Sequence, residues 1–111
     1  MYDPSVEEIL TDDHLLVRKV GKPTAKKIRQ RIAELKAMPT FLDYVSVAPG
    51  RPHLLKGDLH GCCAVSLASN TRLIVRPHCE GLDQESLKMC EVALVKGVCD
   101  YHGEKNEWII P

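Results

Sequence analysis

The chain has 111 residues, 15 Lys+Arg against 15 Asp+Glu, 44% hydrophobic residues and only 5% aromatic ones, which bounds it to one small domain over residues 1–111 with an aliphatic core. Its dispersed apolar residues and 27% charged content exclude disorder, collagen-like repeats and coiled coil, and no apolar run approaches the ~20 residues that cross a bilayer. Met1-Tyr2-Asp3-Pro4 has neither a basic nor an apolar start, so a cytoplasmic protein is expected. Ser5-Val6-Glu7-Glu8 has the capping-box pattern and predicts a helix from about Val6. Val6, Ile9, Leu10, Leu16, Val17 and Val20 roughly keep a helical period, with Asp12-Asp13-His14 as an interruption and Gly21-Lys22-Pro23 as the end. Thr24 is the expected cap of a second helix, in which Ala25, Ile28, Ile32 and Leu35 form the apolar stripe. Lys26, Lys27, Arg29, Gln30, Arg31, Glu34 and Lys36 cover the rest, up to Met38-Pro39.

Beyond Pro39 the segment from Phe41 to Val47 reads as extended, and Ala48-Pro49-Gly50-Arg51-Pro52 as a loop. Two runs, Cys62 to Leu67 and Thr71 to Arg76, joined by Ala68-Ser69-Asn70, read as an antiparallel hairpin. Residues 77–90 read as a long loop with a short helical turn near Ser86-Leu87-Lys88. Glu91 to Cys99 reads as a strand closing on Asp100-Tyr101-His102, followed by a polar tail, Gly103 to Glu107, and then Trp108-Ile109-Ile110-Pro111. Helices followed by a strand meander predict an α+β domain, the helical pair packed on one face of a small antiparallel sheet.

The zero net charge conceals a strong asymmetry. Residues 1–13 carry five acids and no base, residues 14–76 twelve bases and three acids, and residues 77–111 three bases and seven acids. A cationic stretch of this kind is usually a solvated face, and it is also the footprint expected for phosphate contacts. The five cysteines, Cys62, Cys63, Cys79, Cys90 and Cys99, are odd in number and two are adjacent, so reduced thiols are the better reading. A zinc site from these with His60, His78 or His102 lacks the closely spaced ligand pairs that structural zinc prefers.

Candidate chemistry gathers at His53 and Lys56 before the hairpin, at Arg72 on its second strand, and at Asp100-Tyr101-His102. Singly, each has an ordinary alternative as an exposed side chain. Together they supply imidazoles, a phenol, a guanidinium and an ammonium, with no Ser-His-Asp nucleophile and no carboxylate run to hold magnesium. That inventory suits metal-free RNA cleavage, in which the 2′-hydroxyl attacks the adjacent phosphorus. The protein then supplies a base, an acid and cations for the phosphorane, and imidazole, with a pKa of ~6.5, suits both proton transfers.

The stretch Arg51-Pro52-His53-Leu54-Leu55-Lys56-Gly57-Asp58-Leu59-His60-Gly61, then Val65-Ser66-Leu67, Asn70-Thr71-Arg72-Leu73-Ile74-Val75 and Val98-Cys99-Asp100-Tyr101-His102, resembles the plasmid-maintenance killer proteins, the HigB branch of the RelE/ParE toxin superfamily. The similarity runs from about Thr24 to His102, with P-H-x-L-K-G-D-L-x-G, N-x-R-L and D-Y-H in the family's order. The resemblance implies a RelE-like fold, helices on a small curved antiparallel sheet, and a toxin that enters the ribosomal A site and cleaves messenger RNA there. It implies no cofactor and no metal. The partners it implies are the ribosome and a cognate helix-turn-helix antitoxin of the HigA kind, with any DNA contact made only through the antitoxin complex. It makes His53 and His102 the proton-transfer candidates, Asp100 the residue that orients an imidazole, Tyr101 a substrate contact, and Arg72 with Lys56 the holders of the scissile phosphate. The chain departs from the family in carrying Cys62-Cys63 in place of an aromatic pair, in its neutral net charge, in the apparent lack of an N-terminal strand, and in the longer 77–90 loop. Two other readings stand beside the nuclease: a ParE-like toxin that inhibits DNA gyrase without chemistry, and a non-catalytic interaction module on the same fold.

Overall fold

The computed structural model describes residues 1–68, 70–102 and 105–111, with residues 58, 101, 102, 105 and 106 as backbone. Helices come first. Pro4 opens α1 (Pro4–Thr11), and the Asp3 carboxylate caps it by accepting from the Ser5 amide at 3.0 Å. The cap is therefore Asp3 and not Ser5, because proline, with φ preset and no N–H to satisfy, belongs in the first turn. Asp12 ends α1 by donating its backbone N–H to Glu8 and caps α2 (Asp13–Val20) by accepting from the His14 and Leu15 amides. Gly21, at φ 85°, turns α2 directly into α3 (Lys22–Ala37), so Thr24 lies inside the first turn and does not cap it.

The segment expected to be extended is a helix, α4 (Phe41–Val47), with Phe41 and Tyr44 buried on one side. Thr40 accepts from the Asp43 amide at 3.2 Å and donates to the Asp43 carboxylate at 3.1 Å, a reciprocal cap that outweighs the β-branched and aromatic composition of so short a run. After α4, Gly50 adopts φ 91°. A side chain there would collide with Val65 and with the Arg31 guanidinium.

Five strands form one antiparallel sheet in the order β1 (His53–Leu54), β2 (Cys63–Ser66), β3 (Thr71–Pro77), β4 (Ala93–His102), β5 (Lys105–Ile110). A 3₁₀ turn (Gly57–Leu59) sits between β1 and β2, and α5 (Gln84–Lys88) between β3 and β4. The chain end assigned to a polar tail is thus a paired strand. It covers the C-terminal half of β4; beside the N-terminal half, Tyr2 bridges Val95 in parallel, with Asp3 N–H donating to the Val95 carbonyl at 3.0 Å and Val95 N–H to that of Met1 at 2.9 Å. Residues 1–3 therefore lie as a short parallel extension beside β4, which the sequence did not reveal. Extra residues at Lys96 in β4 and Ile109 in β5 break the register and add local twist. Gly97, beside the first bulge, lies so close to the Ile110 carbonyl and the Trp108 ring that no side chain fits.

The helices cover one face of the sheet, where Cys63, Val65, Leu73, Val75, Val95, Val98 and Ile110 join Val6, Leu16, Ile28, Phe41 and Tyr44 in the main core. On the other face Cys62, Ala64, Ile74 and Cys99 are buried beneath Leu55 and Leu59. Among the described residues, no helix is long and apolar enough to cross a membrane.

Candidate functional site

Strand pairing decides which of the predicted residues meet. Arg72 stands between Ser66 and Cys99, and Asp100 stands opposite Thr71. The N-x-R turn at the start of β3 and the D-Y-H end of β4 are thereby brought side by side from distant parts of the chain. Arg72 is half-buried, and its Nη1 donates to the Ala68 and Thr71 carbonyls at 3.1 Å, bracing the turn that presents it; both Arg72 and Asp100 have further interactions. Successive register positions alternate between faces, so Arg72 shares the Cys99 face while Asp100 belongs to the Leu73–Val98 face. Tyr101 and His102 continue β4, pairing with Asn106 and Lys105; their side chains lie outside the described residues.

His53 is exposed at the start of the edge strand β1, its Nδ1 3.1 Å from the Arg51 carbonyl. It pairs with Ala64, whose row continues through Ile74 to Gly97. His53 is therefore three strand spacings from β4 and several residues short of His102, roughly 20 Å away between backbones. Two groups that flank one phosphorus must each be within hydrogen-bond reach of its oxygens, and these two backbone positions are too far apart for that. Lys56, also exposed, precedes the 3₁₀ turn on the same side of the chain as β1.

One residue of this surface was missed in the sequence. Trp108, the single tryptophan, pairs with Cys99 and is 43% exposed. Ser66, Arg72, Cys99 and Trp108 thus form one row across four strands, with the indole lying over Gly97. The available signal was an apolar Trp-Ile-Ile run after a polar turn, the pattern of a returning strand.

Arg31, expected on the solvent side of its helix, is buried. Its Nε donates to the Ser66 carbonyl at 3.0 Å and its Nη1 to the Glu34 carboxylate at 2.9 Å, while the Ser66 amide donates to the Gly50 carbonyl at 2.8 Å. Helix α3 and the Gly50 loop therefore clamp the end of β2 beside Arg72. The basic helix is correspondingly less free than its composition suggests. Arg29 pairs with Asp13 at 3.0 Å and Lys36 lies over the Tyr2 ring, while Lys22 and Lys26 are exposed.

The cysteines in the sheet act as small apolar side chains. Burial pushes the Cys63 thiol up to about 12 and the Cys99 thiol up to about 11, and raises Cys62 as well, which keeps them protonated and unreactive near neutral pH. Cys62 packs on the outer face and Cys63 on the helix face. Among the described residues, no group of three or more His, Cys, Asp or Glu side chains converges as a metal site requires. No protein-family model matches this chain, and no curated protein is significantly similar to it.

Proposed function

We propose that this chain is the toxin of a toxin–antitoxin pair, a RelE-fold, ribosome-dependent endoribonuclease that cleaves messenger RNA in the A site by metal-independent acid–base catalysis. The observation that carries the reading is the pairing of Thr71 with Asp100, which sets the N-x-R and D-Y-H segments side by side although the sequence holds them apart. In this reading the messenger's 2′-hydroxyl attacks its own 3′-phosphate beside the D-Y-H end of β4, while Arg72, whose register position falls on the opposite face from Asp100 and His102, binds a neighbouring phosphate of the same messenger and not the phosphorane. His102 transfers a proton at the scissile phosphate, Asp100 orients an imidazole, and Tyr101 contacts the substrate. The distance of His53 from this end of β4 changes its part: with Lys56 it holds a neighbouring phosphate. Trp108 offers the stacking surface for a base that the Cys62-Cys63 pair lacks. The exposed lysines of α3 serve the ribosome or an acidic segment of a HigA-like antitoxin, and the site of action is the cytoplasm.

A second reading, a ParE-like toxin that binds gyrase without chemistry, is favoured by that same separation of His53 from β4. Inducing the wild type, His102→Ala and Arg72→Ala in cells, while mapping messenger 5′ ends and growth, decides between them. The nuclease predicts arrest with new in-frame ends, and loss of a proton-transfer group lowers cleavage by roughly 10²–10⁴-fold. Arrest without cleavage, unchanged by either variant, would establish the binding toxin, and no arrest would leave the interaction module.

A further inference from the structure

The longer loop between β3 and β4 carries the two cysteines that the sheet does not use. Ladder pairing continues past its last assigned pair, Pro77 with Ala93, because the His78 amide donates to the Val92 carbonyl at 2.8 Å. Cys79 then follows His78 on one side, and Cys90 stands two residues before Val92 on the other, so the two approach across the neck of the loop, one residue out of register. A disulfide asks for about 5–6 Å between Cα atoms, and the two thiols lie close enough to hydrogen-bond to one another. The sulfurs confirm the closeness. Cys90 Sγ lies 3.7 Å from the His78 carbonyl oxygen, the peptide group that leads into Cys79, and 3.3 Å from that of Val92. Cys79 Sγ lies 3.0 Å from the Gly81 carbonyl oxygen. Hydrogen bonding to Cys90 adds to burial in raising the Cys79 thiol.

Access differs between the two. Cys79 is half-buried and Cys90 buried, and both line a cavity of about 380 Å³ together with His78, Asp83 and Ser86. The other three cysteines are buried in the sheet. We propose that Cys79 and Cys90 are a thiol pair that a small disulfide such as oxidised glutathione converts to an intramolecular disulfide, stapling the 77–90 loop. Cys79, as thiolate, attacks one sulfur of the small disulfide and releases one small thiolate. Cys90, having lost its proton to solvent, then attacks the Cys79 sulfur and expels the second. Two electrons pass from the protein pair to the small disulfide, which leaves as two thiols. The staple fixes a segment that is already tied to the core, since the Phe41 amide at the start of α4 donates to the Cys90 carbonyl at 2.8 Å. Oxidation therefore locks the loop without demanding a new fold.

The test is to incubate the full chain with glutathione disulfide at about pH 9, so that a fraction of the raised Cys79 thiol is ionised, then block free thiols and map peptides without reduction. The expected result is a Cys79–Cys90 cross-link with Cys62, Cys63 and Cys99 blocked as free thiols. It is reversed by dithiothreitol, raises the thermal midpoint of the wild type, and is absent in Cys79→Ser. In Cys90→Ala, Cys79 is expected to stop at the mixed disulfide with glutathione. A wild-type Cys79 that remains glutathionylated, a cross-link to any sheet cysteine, or a pair that stays fully blockable would each overturn the proposal. These readouts are independent of RNA cleavage, so they stand whether or not the toxin reading does.

Discussion

The two faces of the sheet are made from the same strands and held in different ways. On the helix side, Leu73, Val75, Val98 and Ile110 are wholly buried under side chains from α1 to α4. On the other side, the buried residues are small except for Ile74, and they are covered by Leu55 and Leu59 from the loop that also carries Lys56. Larger side chains at Cys62, Ala64 and Cys99 would leave that loop no room to lie down. Stability is therefore concentrated on one face. The other ends in a row, Ser66–Arg72–Cys99–Trp108, whose outer members a partner can reach without disturbing the main core.

The largest expected effect tests that division directly. Leu73→Ala removes a fully buried side chain between sheet and helices and should cost about 3–5 kcal/mol in urea unfolding. Leu59→Ala, at a half-buried position, should cost about 1 kcal/mol and leave the urea dependence of the transition unchanged. Equal losses would mean that the outer cover belongs to the same cooperative core as the helices, and the contrast between faces would fail.

An intermediate effect sharpens the point where the faces meet. Arg31→Ala takes away the donor to the Ser66 carbonyl and strips the Glu34 carboxylate of its guanidinium. Leaving a buried carbonyl unpaired costs about 1–3 kcal/mol, and the lost packing of the side chain adds to it. We expect a total near the top of that range, with faster amide exchange at Ser66. A loss below about 0.5 kcal/mol, within the ordinary range for surface substitutions, would show that α3 does not clamp β2.

These residues also mark what sequence reading can and cannot reach. The α+β class, the end of α3, the break at Asp12, the β2–β3 hairpin and the helical turn in the 77–90 loop follow from period and punctuation, which are local. Phe41–Val47 was misread because a short run of aromatic and β-branched residues satisfies either period, and only the Thr40–Asp43 cap separates them. Arg31 was misread because guanidinium burial depends on a carbonyl 35 residues away. The pairing of the Arg72 and Asp100 segments follows from antiparallel strands bringing their ends together, but the gathering expected around one phosphate does not, because the two positions fall on opposite faces. The distance of His53 and the place of Trp108 were not legible, because both depend on strand order and on β5, whose pairing the polar tail concealed. Loop, edge and bulge geometry is set by tertiary register, and register is what a single sequence expresses least.

The smallest expected effect concerns the parallel extension that lies outside the ordinary meander, residues 1–3. Lys96 Nζ donates to the Asp3 carboxylate at 2.6 Å, and the Ser5 hydroxyl and amide donate to its other oxygen. The hydrogen bond from Lys96, followed by those from Ser5, holds this carboxyl well below the usual carboxylate range. Unfolded, it titrates near ~3.9. Between that value and the depressed one, the unfolded chain binds the proton and the folded chain does not, so stability rises with pH; the contribution is present above about pH 4 and is lost as the solution is acidified through and below it. Asn caps a helix as well as Asp does, so Asp3→Asn keeps the cap of α1 and removes the charge. The thermal midpoint of the variant should therefore lie slightly below that of the wild type at about pH 6, and the gap should shrink steadily as the pH falls below about 4. A gap that stays constant across this range would mean that Asp3 holds the N-terminal bridge through its cap alone, and that its pairing with Lys96 adds nothing to the seam between α1 and β4.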